Sequence, residues 1–146
     1  MKSHPCRMSI KAFGAISVDD RPRWHFRFAE RFNSITYLDF LKRLVRGNPR
    51  KVFLVADNVG YHKSRVVTEW TGSNLDKIEL FYLPAYSPDL NPVEGVWRLT
   101  KRKSTHNRYF PTKEELHRHV FRRFNRFQGN PASIRPMIRT LLEEPA

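Results

Sequence analysis

The run Val52-Phe53-Leu54-Val55-Ala56, followed at once by Asp57, constrains the fold more than any other stretch of this chain. Five apolar residues without alternation do not suit a strand with one face in water. They suit a strand covered on both faces and paired in parallel. Parallel pairing needs a crossover, usually a helix, so the segment predicts a βαβ unit in an α/β domain. Ile78-Glu79-Leu80-Phe81-Tyr82-Leu83 reads as the second strand, and a short helix around Lys63 to Trp70 as the crossover.

The flanking segments have clear periods of their own. Ile10 to Val18 is apolar-rich, Asp19-Asp20-Arg21-Pro22 is a turn, and Trp24, Phe26 and Phe28 alternate with His25 and Arg27, which predicts a β-hairpin over residues 10–30. Tyr37, Leu38, Leu41, Leu44 and Val45 recur at helical spacing and stop at Gly47-Asn48-Pro49, so a helix is expected over about 35–46. Three prolines between Pro84 and Pro92 remove donors and fix φ, which makes that segment a shaped loop. Asn91 then suits an N-cap and Pro92 the first helical position. After Asn107 and Pro111, Thr112 and Glu115 have capping-box spacing and open a helix whose apolar face is Leu116, Val120, Phe124 and Phe127. Its opposite face carries Arg118, Arg122 and Arg126, read either as a solvated face or as a track for a phosphate backbone. A short helix near Ile134 to Leu142 is expected to close the fold.

At 146 residues the chain fits one domain, and 40% hydrophobic residues with 13% aromatics exclude the apolar-poor signature of disorder. Lys and Arg outnumber Asp and Glu by 27 to 14, and the resulting +13 attracts polyanions, of which nucleic acid is the commonest. Cys6 is the only cysteine, so an intrachain disulfide framework and a cysteine-based zinc site are both excluded. No apolar run is long enough for a membrane span, and the first residues lack the pattern of a signal peptide, so a cytoplasmic, DNA-associated protein without membrane contact is expected. An RNA-binding protein has charge in its favour but no glycine-rich or paired-aromatic RNA motif.

Two carboxylates stand out. Asp57 lies where a parallel strand ends, the place where open α/β sheets bind ligands, although Asp in a turn with Asn58 and Gly60 is also ordinary loop chemistry. Glu94 begins a helix, and its spacing from Asn91 equally fits a capping box. Each acid follows a core strand, so both can face one edge of the sheet. Mg²⁺ is a hard ion usually held by one or two carboxylates with water and substrate phosphate, and Mn²⁺ can substitute. Such an ion activates water or a DNA 3′-OH.

The block from Val52 to Asn58 with His62-Lys63-Ser64, and the block Leu83-Pro84-Ala85-Tyr86-Ser87-Pro88-Asp89-Leu90-Asn91-Pro92-Val93-Glu94-Gly95-Val96-Trp97, resemble mariner-like insertion-sequence transposases of the DDE superfamily. The similarity extends from about Lys11 through Phe124. It implies a bacterial DNA transposase catalytic domain with divalent-metal-dependent cleavage and strand transfer, Asp57 matching the second catalytic acid and Glu94 the third. It also implies a ribonuclease-H-like mixed sheet flanked by helices, with the acidic motifs in residues 50–106 and helices in 112–142.

The resemblance places the first catalytic Asp on a central strand that precedes the region matching Ile10 to Val18. Only nine residues precede Ile10, so the first strand and its acid are expected to be absent, leaving a partial catalytic domain over 1–146 that is inactive alone. Asp19 and Asp20 are expected at the far end of the hairpin, about 17–20 Å from the acids, in a turn role. A second transposase chain supplying the N-terminal part is the implied partner, and a homodimer the implied assembly. Asn58 and His62 are candidates for touching substrate or ordering the loop; Arg98, Lys101, Arg102 and Lys103 are candidates for DNA phosphates or a solvated helix face. The alternative function is a non-catalytic basic remnant that binds DNA or an intact transposase.

Overall fold

The computed structural model describes residues 8–84 and 90–142. Cys6 and the Ala85 to Asp89 part of the proline-rich block lie outside them. The hairpin pairs β1 (Ala12–Ile16) with β2 (Trp24–Phe28) antiparallel, Ala12 opposite Phe28 and Ile16 opposite Trp24. Asp19 accepts the Arg21 N–H at 3.0 Å in the connecting turn, where the sequence placed it. Helix α1 (Ser34–Arg46) begins with a reciprocal cap in which the Asn33 side chain accepts from the Thr36 N–H and Thr36 Oγ1 from the Asn33 N–H. It buries Tyr37, Phe40, Leu41 and Leu44 on one face.

Strand β3 (Val52–Ala56) leads through a 3₁₀ turn (Gly60–Lys63) and helix α2 (Arg65–Gly72) to β4 (Ile78–Tyr82). The two strands pair in parallel, with Val52 opposite Ile78 and Ala56 opposite Tyr82, which is the expected βαβ unit. Coverage on both faces is not found among the described residues. Val52 and Leu54 pack into the core under α1 and α2, but Phe53 is 64% exposed and Val55 56%, because both described helices lie against the other face. One mixed sheet is not found among them either: β1–β2 and β3–β4 are separate two-stranded sheets flanked by helices.

Helix α3 (Pro92–Thr100) runs into a π-helical turn (Lys101–Thr105), followed by α4 (Lys113–Gly129), two short 3₁₀ turns and α5 (Arg139–Leu142). Asn107 carries the loop before α4 through φ 56°, a conformation Asn tolerates better than most residues. The hairpin is a wall between two apolar clusters, since alternate residues of a strand face opposite sides. Phe13 and Ala15 join Leu41, Val67 and Ile78 on one side, whereas Trp24 joins Val96, Phe124 and Ile134 on the other. Gly14 is required at that wall: a Cβ there would overlap the Trp24 indole and stand 2.8 Å from that of Trp97. No described helix is long and apolar enough to cross a membrane.

Candidate active site

Asp57 is the first residue beyond β3, and its backbone carbonyl turns the chain by accepting the Val59 N–H at 3.0 Å. The same carbonyl lies 2.8 Å from His62 Nδ1. A carbonyl can only accept, so Nδ1 carries the proton and Nε2 is the free acceptor of a neutral ring. His62 is 8% exposed, stacks on Tyr37 with ring centroids 4.0 Å apart, and accepts from the Tyr82 hydroxyl through its own carbonyl at 2.5 Å. Burial holds its pKa below the usual 6.5, outweighing the opposing pull of Asp57. This placement matches the loop-ordering alternative for His62. Asn58 is exposed beside Asp57.

Asn91 ties the two acidic motifs together. Its Oδ1 accepts the Val93 N–H at 3.0 Å and so caps α3, while its Nδ2 donates to Asp57 Oδ1 at 3.0 Å. Pro92 occupies the first turn, where a missing N–H costs nothing. Glu94 lies in the same first turn, where the helix dipole favours a carboxylate. The capping-box reading of Glu94 is not met: among the described residues its carboxylate forms no hydrogen bond or ion pair, and only the Asn91 half of the cap is present.

Both carboxylates line one cleft of about 1100 Å³. Every residue of β1 and every residue of β3 lines it too. A strand that presented a face would contribute alternate residues only, so consecutive residues mean that the two strands offer their edges. Those edges are the ones not used in pairing with β2 and β4. Tyr37 also lines the cleft; its hydroxyl is buried without a hydrogen-bond partner among the described residues, and burial, with Tyr82 and Tyr61 nearby, pushes its pKa far up.

Asp57 and Glu94 are oxygen donors of the kind a hard divalent cation takes, and two carboxylates are what Mg²⁺ commonly uses. Asn91 occupies Asp57 Oδ1 and leaves Oδ2 without a hydrogen bond or ion pair among the described residues. Among the described residues no group of three or more His, Cys, Asp or Glu is placed to hold a metal ion. Arg98 is exposed one turn beyond Glu94 on α3. Lys101, Arg102 and Lys103 are exposed as well, on the π-helical turn that follows the α-helix carrying Glu94. The Asn91–Asp57 link escaped the sequence, where Asn91 showed only as a cap. So did the tyrosines around His62, whose grouping no local spacing signals.

Known proteins place this geometry in a family. The curated relatives include the insertion element IS630 uncharacterized 39 kDa protein of Shigella sonnei, 34% identical over 77 residues, covering 51% of this chain and 22% of that protein. The uncharacterized protein y4pE/y4sA of Sinorhizobium fredii is 32% identical over 84 residues, 56% of each chain. The Tc3 transposase of Caenorhabditis elegans is 29% identical over 129 residues, 80% of this chain and 39% of its own length. The chain thus spans between about a fifth and somewhat over half of these relatives. Among solved structures, the Mos1 mariner paired end complex with Mn is similar over 97% of this chain and 44% of that one, with a TM-score of 0.66 and 19% identity. The catalytic domain of the Mos1 mariner transposase aligns over 94% of this chain and 82% of that one, with a TM-score of 0.52 and 14% identity. Residues 2–117 match the DDE superfamily endonuclease family, and the chain belongs to it.

Proposed function

We propose that this chain contributes the second and third catalytic acids, Asp57 and Glu94, to a divalent-metal site that cuts and joins DNA. The observation that supports this most is the Asn91 bridge, which fastens the α3 cap to the Asp57 carboxylate and so couples the elements bearing the two acids. A Mg²⁺ or Mn²⁺ ion held by these carboxylates would supply activation of a water or 3′-OH and stabilisation of the leaving oxygen. The residues around them do the positioning. His62 fixes the Asp57 carbonyl from a buried, stacked ring, so Asp57 leaves β3 in one direction. Asn58, Arg98, Lys101, Arg102 and Lys103 are each exposed, as contact with the phosphate oxygens of a substrate requires.

The fold we assign is ribonuclease-H-like with one strand still to be added. The open edges of β1 and β3 and the Tyr37 hydroxyl, unpartnered among the described residues, support a further strand between them, bearing the first acid. In this reading the described residues bind DNA and metal, and cleavage needs the first acid as well. The remnant reading differs in one respect: a non-catalytic DNA-binding module needs no metal.

Metal binding is therefore the test. ¹H–¹⁵N spectra recorded with and without Mn²⁺ should broaden amides around both Asp57 and Glu94, and Asp57→Asn or Glu94→Gln should remove that broadening. Spectra that show no selective broadening at either acid reject the metal site and leave the DNA-binding module.

A further inference from the structure

The basic residues beyond α3 are tied into one surface by two hydrogen bonds. Arg123 Nε donates to Ser104 Oγ at 2.9 Å, linking α4 to the π-helical turn that exposes Lys101, Arg102 and Lys103. Arg108 Nη1 donates to His119 Nε2 at 2.9 Å, linking the following loop to the same face of α4. Along that face Arg118, Arg122 and Arg126 recur every fourth residue. Like charges at that spacing are mildly destabilising in a helix, and the sole acids of α4, Glu114 and Glu115, lie in its first turn, out of reach of Arg126. Among the described residues no ion pair neutralises any arginine of α4. The crowding is felt by the groups themselves. Burial first, then Arg108, Arg123, Arg122 and Arg126, hold His119 below its usual pKa, and burial with Arg126 and Arg108 lowers that of Arg123.

We infer that this face is a second DNA-contacting surface, on which α4 lies along the phosphate backbone of a duplex with Arg118, Arg122 and Arg126 on successive phosphates. Four helical residues rise about 6 Å, comparable with the separation of neighbouring phosphates along the winding strand, which exceeds the axial rise of about 3.4 Å per nucleotide. Planar guanidinium groups suit phosphate oxygens and are less strongly hydrated than ammonium groups. A pocket of about 210 Å³ between Phe110, Arg118, His119 and Arg122 gives a phosphate a seat, with Glu115 the one acid at its rim. The π-helical turn continues directly from α3, so its basic end stands about 12 Å along the helix from Glu94, and one duplex reaches from the acids to α4. The choice of DNA as the polyanion rests on the proposed function; the surface itself does not.

The test uses the full chain and a fluorescein-labelled 20-base-pair duplex titrated at several salt concentrations. Arg122→Glu combined with Arg126→Glu should weaken binding at least tenfold at low salt and lower the slope of log affinity against log salt by about two. Arg122→Lys with Arg126→Lys should stay within about threefold of the parent. Both positions are exposed and make no ion pair among the described residues, so circular dichroism should show the fold unchanged. The His119 titration midpoint should rise when the duplex binds, since phosphate opposes the arginine field. The charge-reversed chain should keep the Mn²⁺ broadening at Asp57 and Glu94, which separates failure here from failure of the metal site. Unchanged duplex affinity and slope after charge reversal overturn the inference. So does loss of binding to phosphatidylserine vesicles with duplex binding intact, which would make the face a membrane contact.

Discussion

Asn91 donates through Nδ2 to Asp57 Oδ1 at 3.0 Å while its own Oδ1 holds the N-terminus of the helix carrying Glu94. One amide thus serves a strand end and a helix start 34 residues apart in sequence. Asn91→Ala removes both bonds and should cost roughly 1–2 kcal/mol, read as a lower midpoint in urea unfolding. Asn91→Asp keeps the cap but sets a second carboxylate against Asp57. It should therefore lower the urea midpoint at neutral pH as well; a midpoint equal to that of the parent would mean that the contact does not persist in solution.

His62 gives the fold an acid limit. Its pKa is lowered in the folded chain, so the unfolded chain binds the extra proton more readily and stability rises with pH in this range. The neutral-ring contribution is fully present above pH 6.5 and is lost as pH falls through the folded-state midpoint. His25 and His119 are shifted the same way and add to it. Thermal unfolding followed from pH 8 to pH 5 should show a fall in Tm beginning near pH 6.5 and reduced in His62→Gln. A His62 midpoint at or above 6.5 by NMR contradicts the buried neutral ring.

Gly14→Ala introduces a methyl group between two indoles that already meet at 5.4 Å between ring centroids. Overpacking of this kind costs about 1–3 kcal/mol. Gly60→Ala meets nothing within 4 Å of the added carbon and should stay within about 0.5 kcal/mol of the parent. Equal loss in both variants would show that the cost is not the indole contact, since Gly→Ala by itself reduces the entropy of the unfolded chain and favours folding.

The cleft between β1 and β3 should accept one strand. Co-expression with a short segment of alternating apolar residues bearing a single Asp, drawn from the region preceding the match in a full-length relative, should raise soluble yield and slow amide exchange in Gly14 and Val55 together, since their N–H groups are directed away from β2 and β4. A segment of the same composition in scrambled order is the control. Protection of neither strand by the native-order segment would remove the case for complementation.

Legibility in the sequence followed the range of the forces concerned. The βαβ unit, the hairpin and the α1 and α4 faces were readable because burial imposes periods of two or 3.6 residues on neighbouring positions. Asp57 and Glu94 were readable from their motifs and from their places at a strand end and a helix start. What covers a strand is not a local property, and for that reason the unbroken run Val52 to Ala56 promised two covered faces where Phe53 and Val55 stand exposed. Nor is the cleft local, since it exists only because two sheets turn unpaired edges toward each other. The sequence by itself determined the elements, their order, the charge and the two acids. Only the tertiary structure decided that Asn91 would join those acids, that His62 would be buried under Tyr37, and that the arginines of α4 would meet Arg108 and the π-helical turn, because each depends on side chains distant in sequence reaching hydrogen-bond or packing distance.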